Sequence, residues 1–195
     1  MIKFAITGGI GSGKSYVSQL LEARGIPVYN ADAESKRLTV ACEDIRKDLI
    51  ALLGEDVYQD GTLNKQLLAS YLFASADNAA RINAIIHPRV KSDFRDWAER
   101  HADEPLVGLE SAILYESGFD DVVDSVWMVH APEELRIERA MKRDRATEEQ
   151  IRARMAAQMD DDEKCRRAHF VIRNDGSRDL DPQLDEIIVR LLKKG

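Results

Sequence analysis

Apolar positions along the chain follow two patterns, which together predict alternating strands and helices. The first pattern is a short apolar run bounded by turn residues, which is typical of a buried strand. Such runs occupy residues 2–7, 26–30, 106–109, 122–130 and 170–173. The second pattern repeats apolar residues every three or four positions and predicts helices at 14–24 and 180–192. Apolar strands alternating with helices favour an α/β fold with a parallel sheet covered on both faces.

A long segment between the second and third predicted strands has a mostly helical pattern. It runs from residue 33 to about residue 102, with predicted breaks at Gly54, at Asp60-Gly61 and at His87-Pro88. Proline at the first position of a helix is common, so His87-Pro88 is interpreted as a helix start. A role for this pair in holding an acceptor substrate is the alternative.

Residues 8–15 fit the phosphate-binding loop pattern of Gly, four residues, then Gly-Lys-Ser/Thr. They lie between a predicted strand and a predicted helix, as this motif requires. Backbone N–H groups of such a loop surround a polyphosphate, and the helix N-terminus adds its positive dipole end. Lys14 is expected to reach the β- and γ-phosphates, and Ser15 to ligate Mg²⁺. The chain is therefore predicted to bind a nucleoside triphosphate.

Ligands of parallel sheets bind beyond the carboxyl ends of the strands, which directs attention to Asp32, Glu110 and Asn174. Asp32 can accept a proton from an attacking hydroxyl or can cap the helix that follows it. A general base favours an alcohol as the phosphoryl acceptor, because a phosphate acceptor is already an anion. Glu110 can hold Mg²⁺ through water, contact the acceptor, or stabilise a helix N-terminus. Asn174-Asp175-Gly176 is a turn by composition or a border of the nucleotide base.

A group of arginines between residues 136 and 154 supports a second phosphate-binding element. Arg136, Arg139 and Arg143 are spaced by three and four residues and therefore share a helix face. Guanidinium groups make multidentate contacts to phosphate oxygens, so a mobile lid that closes over the triphosphate is one interpretation. The other is a solvated helix with exposed ion pairs, because Glu and Asp residues lie among the arginines.

Composition narrows the class of protein further. The chain has 195 residues and a net charge of −7, which argues mildly against a nucleic-acid groove. Two cysteines without metal-ligand spacing and four histidines give no case for a zinc site or a disulfide framework. No segment has the pattern of a signal peptide or the length of a membrane span. A cytoplasmic protein without a membrane, a nucleic acid or an obligate protein partner is expected.

Taken together, these segments resemble the dephospho-coenzyme A kinase family over nearly the whole chain. The resemblance depends on residues 6–15, Asp32 in an Asn-Ala-Asp triplet, His87-Pro88-Arg89-Val90, residues 114–118, residues 139–144, Arg154 with Gln158, and Asn174-Asp175-Gly176. It implies that ATP, with Mg²⁺, phosphorylates the ribose 3′-hydroxyl of dephospho-CoA to give CoA and ADP. It also implies a single phosphate-loop kinase domain with a core (1–32, 103–131 and 167–195), a helical substrate-binding insertion (33–102) and a lid (132–166).

The same resemblance implies roles for individual residues. It makes Asp32 the base, with Lys14 and Arg139 as the other catalytic residues. The implied ATP-binding residues are Gly11, Ser12, Gly13, Lys14, Ser15, Tyr16, Arg143 and Asn174. On the acceptor side the implied residues are Asp32, His87, Arg89 and Glu116, and Ser15 is the implied metal ligand.

Two departures from the family pattern concern the phosphate site. The family often has Asp-Ile-Pro or Asp-Val-Pro where this chain has Glu110-Ser111-Ala112, which moves the carboxylate by about one methylene and relaxes the backbone. Tyr16 stands where the family commonly has Thr, so only its backbone N–H can repeat the phosphate contact.

Two other functions are compatible with a phosphate loop. One is a related kinase acting on a nucleoside, a sugar acid or a nucleotide. The other is a switch or motor that hydrolyses the triphosphate, but the chain has neither the Asn-Lys-x-Asp of a guanine-specific switch nor an apolar strand ending in Asp-Glu. A requirement for a small acceptor in ATP turnover discriminates between these classes.

Overall fold

The structure is a computed structural model that describes residues 1–193, and it has an α/β fold. Seven strands occur in the described chain. In order they are β1 (Ile2–Thr7), β2 (Val28–Asn30), β3 (Tyr58–Gln59), β4 (Thr62–Leu63), β5 (Leu106–Glu110), β6 (Ser125–His130) and β7 (Phe170–Arg173). Five of them form a parallel sheet in the order β2-β5-β1-β6-β7, and the other two form a hairpin. The predicted parallel α/β fold is confirmed.

Nine helices occur in the same residues. They are α1 (Lys14–Glu22), α2 (Ala31–Ala41), α3 (Glu43–Leu53), α4 (Lys65–Ala74), α5 (Ala76–Arg100), α6 (Glu133–Asp144), α7 (Glu148–Ala156), α8 (Asp161–Arg167) and α9 (Leu180–Leu192). Short 3₁₀ turns occupy Glu55–Val57 and Phe119–Val122. The second 3₁₀ turn ends with Val122, which the sequence assigned to a strand, and residues 123–124 form a link, so β6 begins at Ser125 rather than at residue 122.

The chain divides into two compact units. One contains residues 1–30 and the described residues from 98 onward, and the other is Ala31–Trp97. The first unit holds the parallel sheet, and the second holds α2 to α4, the β3–β4 hairpin and most of α5.

The core of the first unit is built on the central strands. Phe4 on β1 and Trp127 on β6 are fully buried and stack with ring centroids 4.0 Å apart. Leu21 of α1 and Leu184 of α9 belong to the same apolar cluster. Strand β1 is the central strand of the sheet and pairs with β5 and β6, so the loop that follows β1 has neighbours on both sides.

Helix α5 contradicts the predicted break and helix start at His87-Pro88, because it continues from residue 76 to residue 100 with Pro88 inside. Its buried apolar residues recur every fourth position, at Ile82, Ile86, Val90, Phe94 and Ala98. That continuous face outweighs the loss of one backbone hydrogen bond at proline. Proline has no N–H to donate to the Ala84 carbonyl. Because Pro88 and Ala84 are both exposed, water can donate a hydrogen bond to that carbonyl instead.

The predicted break at Asp60-Gly61 is the turn of the β3–β4 hairpin. Both residues have positive φ angles, 49° and 77°, as the tight turns of two-residue hairpins require. Two strands of two residues each were too short to be recognised from apolar periodicity.

Candidate active site

The phosphate loop occupies the end of β1 and leads directly into α1. Gly13 precedes the helix with φ 98° and ψ 22°, in the left-handed region, and a Cβ at this position would overlap the Asn174 side-chain amide. Glycine is therefore required here by both conformation and space. The arrangement leaves backbone N–H groups of the first helical turn at the mouth of the loop, which is a ready anion site.

The Glu110 carboxylate accepts hydrogen bonds from the serine hydroxyl groups that follow the loop. Glu110 is the last residue of β5, the neighbour of β1, and is only 7% exposed. Its Oε1 accepts a hydrogen bond from Ser15 Oγ at 2.7 Å, and its Oε2 accepts one from Ser18 Oγ at 2.9 Å. Asn30 Nδ2 lies 3.4 Å from Oε2. Because Glu110 ends a strand, the interpretation as a helix N-terminal acid is wrong.

Lys14 lies over the same loop. Its Nζ donates to the carbonyl oxygen of Gly9 at 3.3 Å. Because this bond is long, the ammonium group can exchange the loop carbonyl for phosphate oxygens. Tyr16, by contrast, projects a 56% exposed side chain, and its backbone N–H donates to the Gly13 carbonyl at 3.1 Å.

Asn174 joins the last strand to the phosphate loop. Its backbone N–H donates to the His130 carbonyl at 2.8 Å, and its Nδ2 donates to the Ser12 carbonyl at 2.8 Å. The Asn174 carbonyl in turn accepts from Arg139 Nη1 at 3.0 Å. The structure thus brings three of the predicted ATP-side or catalytic residues, Ser12, Arg139 and Asn174, into one hydrogen-bonded group.

The three arginines of α6 have different surroundings, although they share a helix as predicted. Arg136 is only 6% exposed and is ion-paired with Asp161, whereas the Arg143 side chain is 61% exposed. Arg143 and Arg154 both pair with Asp144, at 2.7 and 2.6 Å, and hold the pKa of that carboxyl well below its usual range. The exposed ion pairs expected of a solvated helix are therefore present at Arg143, whereas the ion pair of Arg136 is buried.

A buried lysine that sequence reasoning missed joins α8 to the segment after β5. Lys164 is 0% exposed, and its Nζ donates to the Ala112 carbonyl at 2.9 Å and lies 3.2 Å from Glu116 Oε1. Glu116 Oε1 also accepts from the Met159 backbone N–H at 2.7 Å. Lys164 belongs to a strongly charged helix of sequence Asp-Asp-Glu-Lys-Cys-Arg-Arg, and nothing in that pattern distinguishes it from a solvated residue.

The remaining acceptor-side candidates lie in the unit of residues 31–97. Asp32 is exposed in the first turn of α2, two residues after β2 ends. His87 is half-buried in α5, and burial, together with the nearby Lys91 ammonium, lowers the pKa of its imidazole. Arg89 pairs with Asp48 at 2.9 Å.

The donor set at the phosphate loop fits a divalent cation of the magnesium type. Mg²⁺ prefers oxygen ligands and usually takes only one or two from protein, with water and substrate phosphate completing its shell. The Ser15 hydroxyl and the Glu110 carboxylate supply such oxygens. Within residues 1–193 there is no group of three or more His, Cys, Asp or Glu side chains able to hold a metal ion by itself.

No helix within residues 1–193 is both long and apolar enough to cross a membrane.

The sequence profile of the dephospho-CoA kinase family matches residues 2–179 of this chain. The chain belongs to that family. It is 56% identical over 193 residues to the dephospho-CoA kinase of Bacteroides fragilis, which covers 99% of this chain and 94% of the relative. It is 46% identical over 158 residues to the dephospho-CoA kinase of Porphyromonas gingivalis, covering 81% of this chain and 78% of the relative.

Solved structures agree with this membership at the level of the fold. A crystal structure of a Thermus thermophilus protein superposes with a TM-score of 0.84 at 34% identity, covering 97% of each chain. The dephospho-CoA kinase of Campylobacter jejuni gives 0.69 at 22% identity over 98% of each chain, which shows a shared fold. Shikimate kinase from Acinetobacter baumannii gives 0.54 at 16% identity and covers 100% of this chain and 94% of its own, which again shows a similar fold. Membership of the family implies a kinase that uses ATP with a divalent metal ion.

Proposed function

We propose that this enzyme transfers the γ-phosphoryl group of ATP to the ribose 3′-hydroxyl of dephospho-CoA, giving CoA and ADP, the last step of coenzyme A synthesis. Membership of the family over nearly the whole chain supports the substrate pair. The observation that carries the reaction type is the phosphate loop whose Ser15 hydroxyl is bonded to the buried Glu110 carboxylate. The loop backbone can hold a polyphosphate, and the Ser15 and Glu110 side chains beside it offer oxygen ligands for a metal ion.

On the ATP side, the backbone of Gly11, Ser12 and Gly13 binds phosphate oxygens, and the Tyr16 N–H shares its proton between the Gly13 carbonyl and phosphate. Lys14 moves from the Gly9 carbonyl to the β- and γ-phosphates and offsets charge there. Arg139, which lies beside Asn174, reaches the transferred phosphoryl group. Arg143 and Asn174 complete the nucleotide site.

Ser15 would hold Mg²⁺ as a direct ligand, and Glu110 would orient Ser15. When bound, the ion would supply positive charge that offsets the charge of the β- and γ-phosphates. The Ser15–Glu110 hydrogen bond of 2.7 Å fixes the serine rotamer in advance, so the hydroxyl oxygen is already positioned for a cation.

Asp32 acts as the general base on the acceptor side. It accepts the proton of the 3′-hydroxyl as that oxygen attacks the γ-phosphorus, while ADP leaves with the bridging oxygen. His87, Arg89 and Glu116 are assigned to acceptor binding. Residues 132–166 are assigned to a lid that excludes water during transfer.

The test is Mg·ATP-dependent release of ADP, with and without dephospho-CoA, for the wild type and for Asp32→Asn. Strong stimulation by dephospho-CoA is expected in the wild type, with a kcat lower by about 10²–10⁴-fold in the variant. Glu34→Gln is the matched control, because it removes one negative charge from the same first helical turn. It should keep kcat near the wild-type value.

Each negative outcome has a separate meaning. ADP release that is not stimulated by dephospho-CoA contradicts the substrate assignment. Stimulation with near-normal kcat in Asp32→Asn retains the substrate and makes Asp32 an acidic residue of the first turn of α2 that stabilises the helix N-terminus.

A further inference from the structure

The phosphate loop contains two glycines that its motif does not require, and both are packed against Arg136. The motif specifies Gly8 and Gly13, whereas Gly9 and Gly11 occupy positions open to any residue. A Cβ on Gly9 would lie 2.5 Å from Arg136 Nη2 and 2.7 Å from Asp161 Oδ1. A Cβ on Gly11, where φ is 78°, would overlap the Arg136 backbone carbonyl. The tip of the loop, residues 9–11, therefore lies directly on α6.

Both backbone polar groups of Ile10, at the centre of this tip, are bonded to side chains from distant parts of the sequence. The Ile10 carbonyl accepts from Arg136 Nε at 3.0 Å, and its N–H donates to Gln158 Oε1 at 3.1 Å. Asp161 fixes the guanidinium in turn through an ion pair with Arg136 Nη1. These bonds fix the directions of the two peptide planes that flank Ile10, Gly9–Ile10 through its N–H and Ile10–Gly11 through its carbonyl.

Burial indicates that this arrangement is rigid. The Arg136 side chain is 7% exposed and that of Asp161 is 16% exposed. A buried ion pair is weak evidence for stability, because desolvation offsets much of the attraction between its charges. Its geometric effect is clearer here, since a planar guanidinium held at two of its nitrogens cannot rotate.

We propose that Arg136, Gln158 and Asp161 form a clamp that positions the tip of the phosphate loop for the triphosphate. They are positioning residues that act through the two peptide groups that flank Ile10. The proposal rests on the proposed function only in that the loop binds ATP. A loop held in its binding conformation loses less entropy when ATP binds, so release of the clamp weakens ATP binding.

The first experiment measures ATP binding by calorimetry without any acceptor. Arg136→Met/Asp161→Leu replaces the ion pair with apolar side chains and avoids an unpaired buried charge. Gln158→Met is the milder variant, which releases only the Ile10 N–H. Each should raise the Kd for ATP by about tenfold, because a loop released from the clamp must be ordered when ATP binds. Arg166→Met is the control, because it breaks the exposed Arg166–Glu163 pair of the same helix α8.

A second readout separates positioning from general loosening of the fold. Amide exchange of the peptide covering residues 8–15 should be faster in the clamp variants and unchanged in Arg166→Met. The KM for ATP should rise while the KM for dephospho-CoA stays within about threefold of the wild type.

The variant Asp161→Ala distinguishes a positioning role of Arg136 from an attraction between its charge and ATP. It leaves the Arg136 cation without its counterion, so a purely electrostatic role predicts tighter ATP binding, whereas a clamp predicts weaker binding.

Wild-type Kd and exchange rates in the folded double variant would overturn the proposal. If the double variant does not fold, the same result in Gln158→Met overturns it. The Kd for ATP needs no acceptor, so a wild type that binds ATP but ignores dephospho-CoA refutes the substrate assignment and still tests the clamp.

Discussion

At the scale of single residues, Glu110 shows how one carboxylate can organise a site. Three polar side chains from two elements converge on it: Ser15 and Ser18 of α1, and Asn30 of β2. The family commonly has the shorter Asp here, and the longer side chain of this chain bonds both serine hydroxyls with separate oxygens. The replacement of the family's Asp by Glu therefore occurs at the residue that accepts hydrogen bonds from both serines.

Glu110→Gln should weaken the response to Mg²⁺, because the neutral amide orients the Ser15 hydroxyl less strongly. We expect the half-saturating Mg²⁺ concentration to rise by about 10–100-fold in ADP-release assays. Ser18→Ala is the control, since it removes the other hydrogen bond to Glu110 and leaves Ser15 untouched. An unchanged Mg²⁺ requirement in Glu110→Gln would make this carboxylate a structural acceptor only.

At the scale of elements, the sequence was most informative where burial and periodicity agree. Strand β1, strand β7 and helix α9 begin and end at the predicted residues, because each presents a regular apolar face to one core. The parallel sheet and the loop after β1 followed from the same pattern. The break at His87-Pro88 was wrong because local preference at proline was given more weight than the apolar face of α5.

The candidate site was predictable only in part. Lys14, Ser15 and Asn174 are recognisable from motifs and strand ends. Lys164 and Asp161 are not, since their burial arises from tertiary packing of a short helix whose sequence is almost wholly charged. The partners of a residue such as Arg136 likewise depend on contacts between residues more than 100 positions apart in sequence.

Pro88→Ala tests the interpretation of α5. The substitution restores a backbone N–H inside the helix, and we expect the free energy of unfolding to rise by about 1–2 kcal/mol. Chemical denaturation measures this. Pro182→Ala is the matched control, because Pro182 lies in the first turn of α9, where no intrahelical donor is needed. A lower stability in Pro88→Ala would mean that a bend at proline is required for packing.

At the scale of the whole molecule, stability should depend on pH through His87. The folded state lowers the pKa of this imidazole below 6.5, so the unfolded chain takes up the proton first as pH falls. Stability from this group is fully present above about pH 6.5 and is lost as pH falls from there to the lower folded pKa.

Thermal unfolding at about pH 7.5 and pH 5.5 gives the measurement, with His87→Gln as the comparison. The difference in Tm between the two pH values should be smaller in the variant. Asp161, whose pKa burial raises, acts in the opposite direction, and its contribution cancels when the two proteins are compared. Equal differences in both proteins would contradict the assignment to His87.

The stacked pair Phe4–Trp127 gives the molecule an internal optical reporter. Trp127 is fully buried, and its indole N–H has no hydrogen-bond partner in the described chain, so its fluorescence should emit at short wavelength. The other tryptophan, Trp97, is half-buried and belongs to the second unit. In Trp97→Phe the remaining emission should shift to longer wavelength only when the sheet itself unfolds. The colour of that light would then report on the integrity of the central strands without any added label.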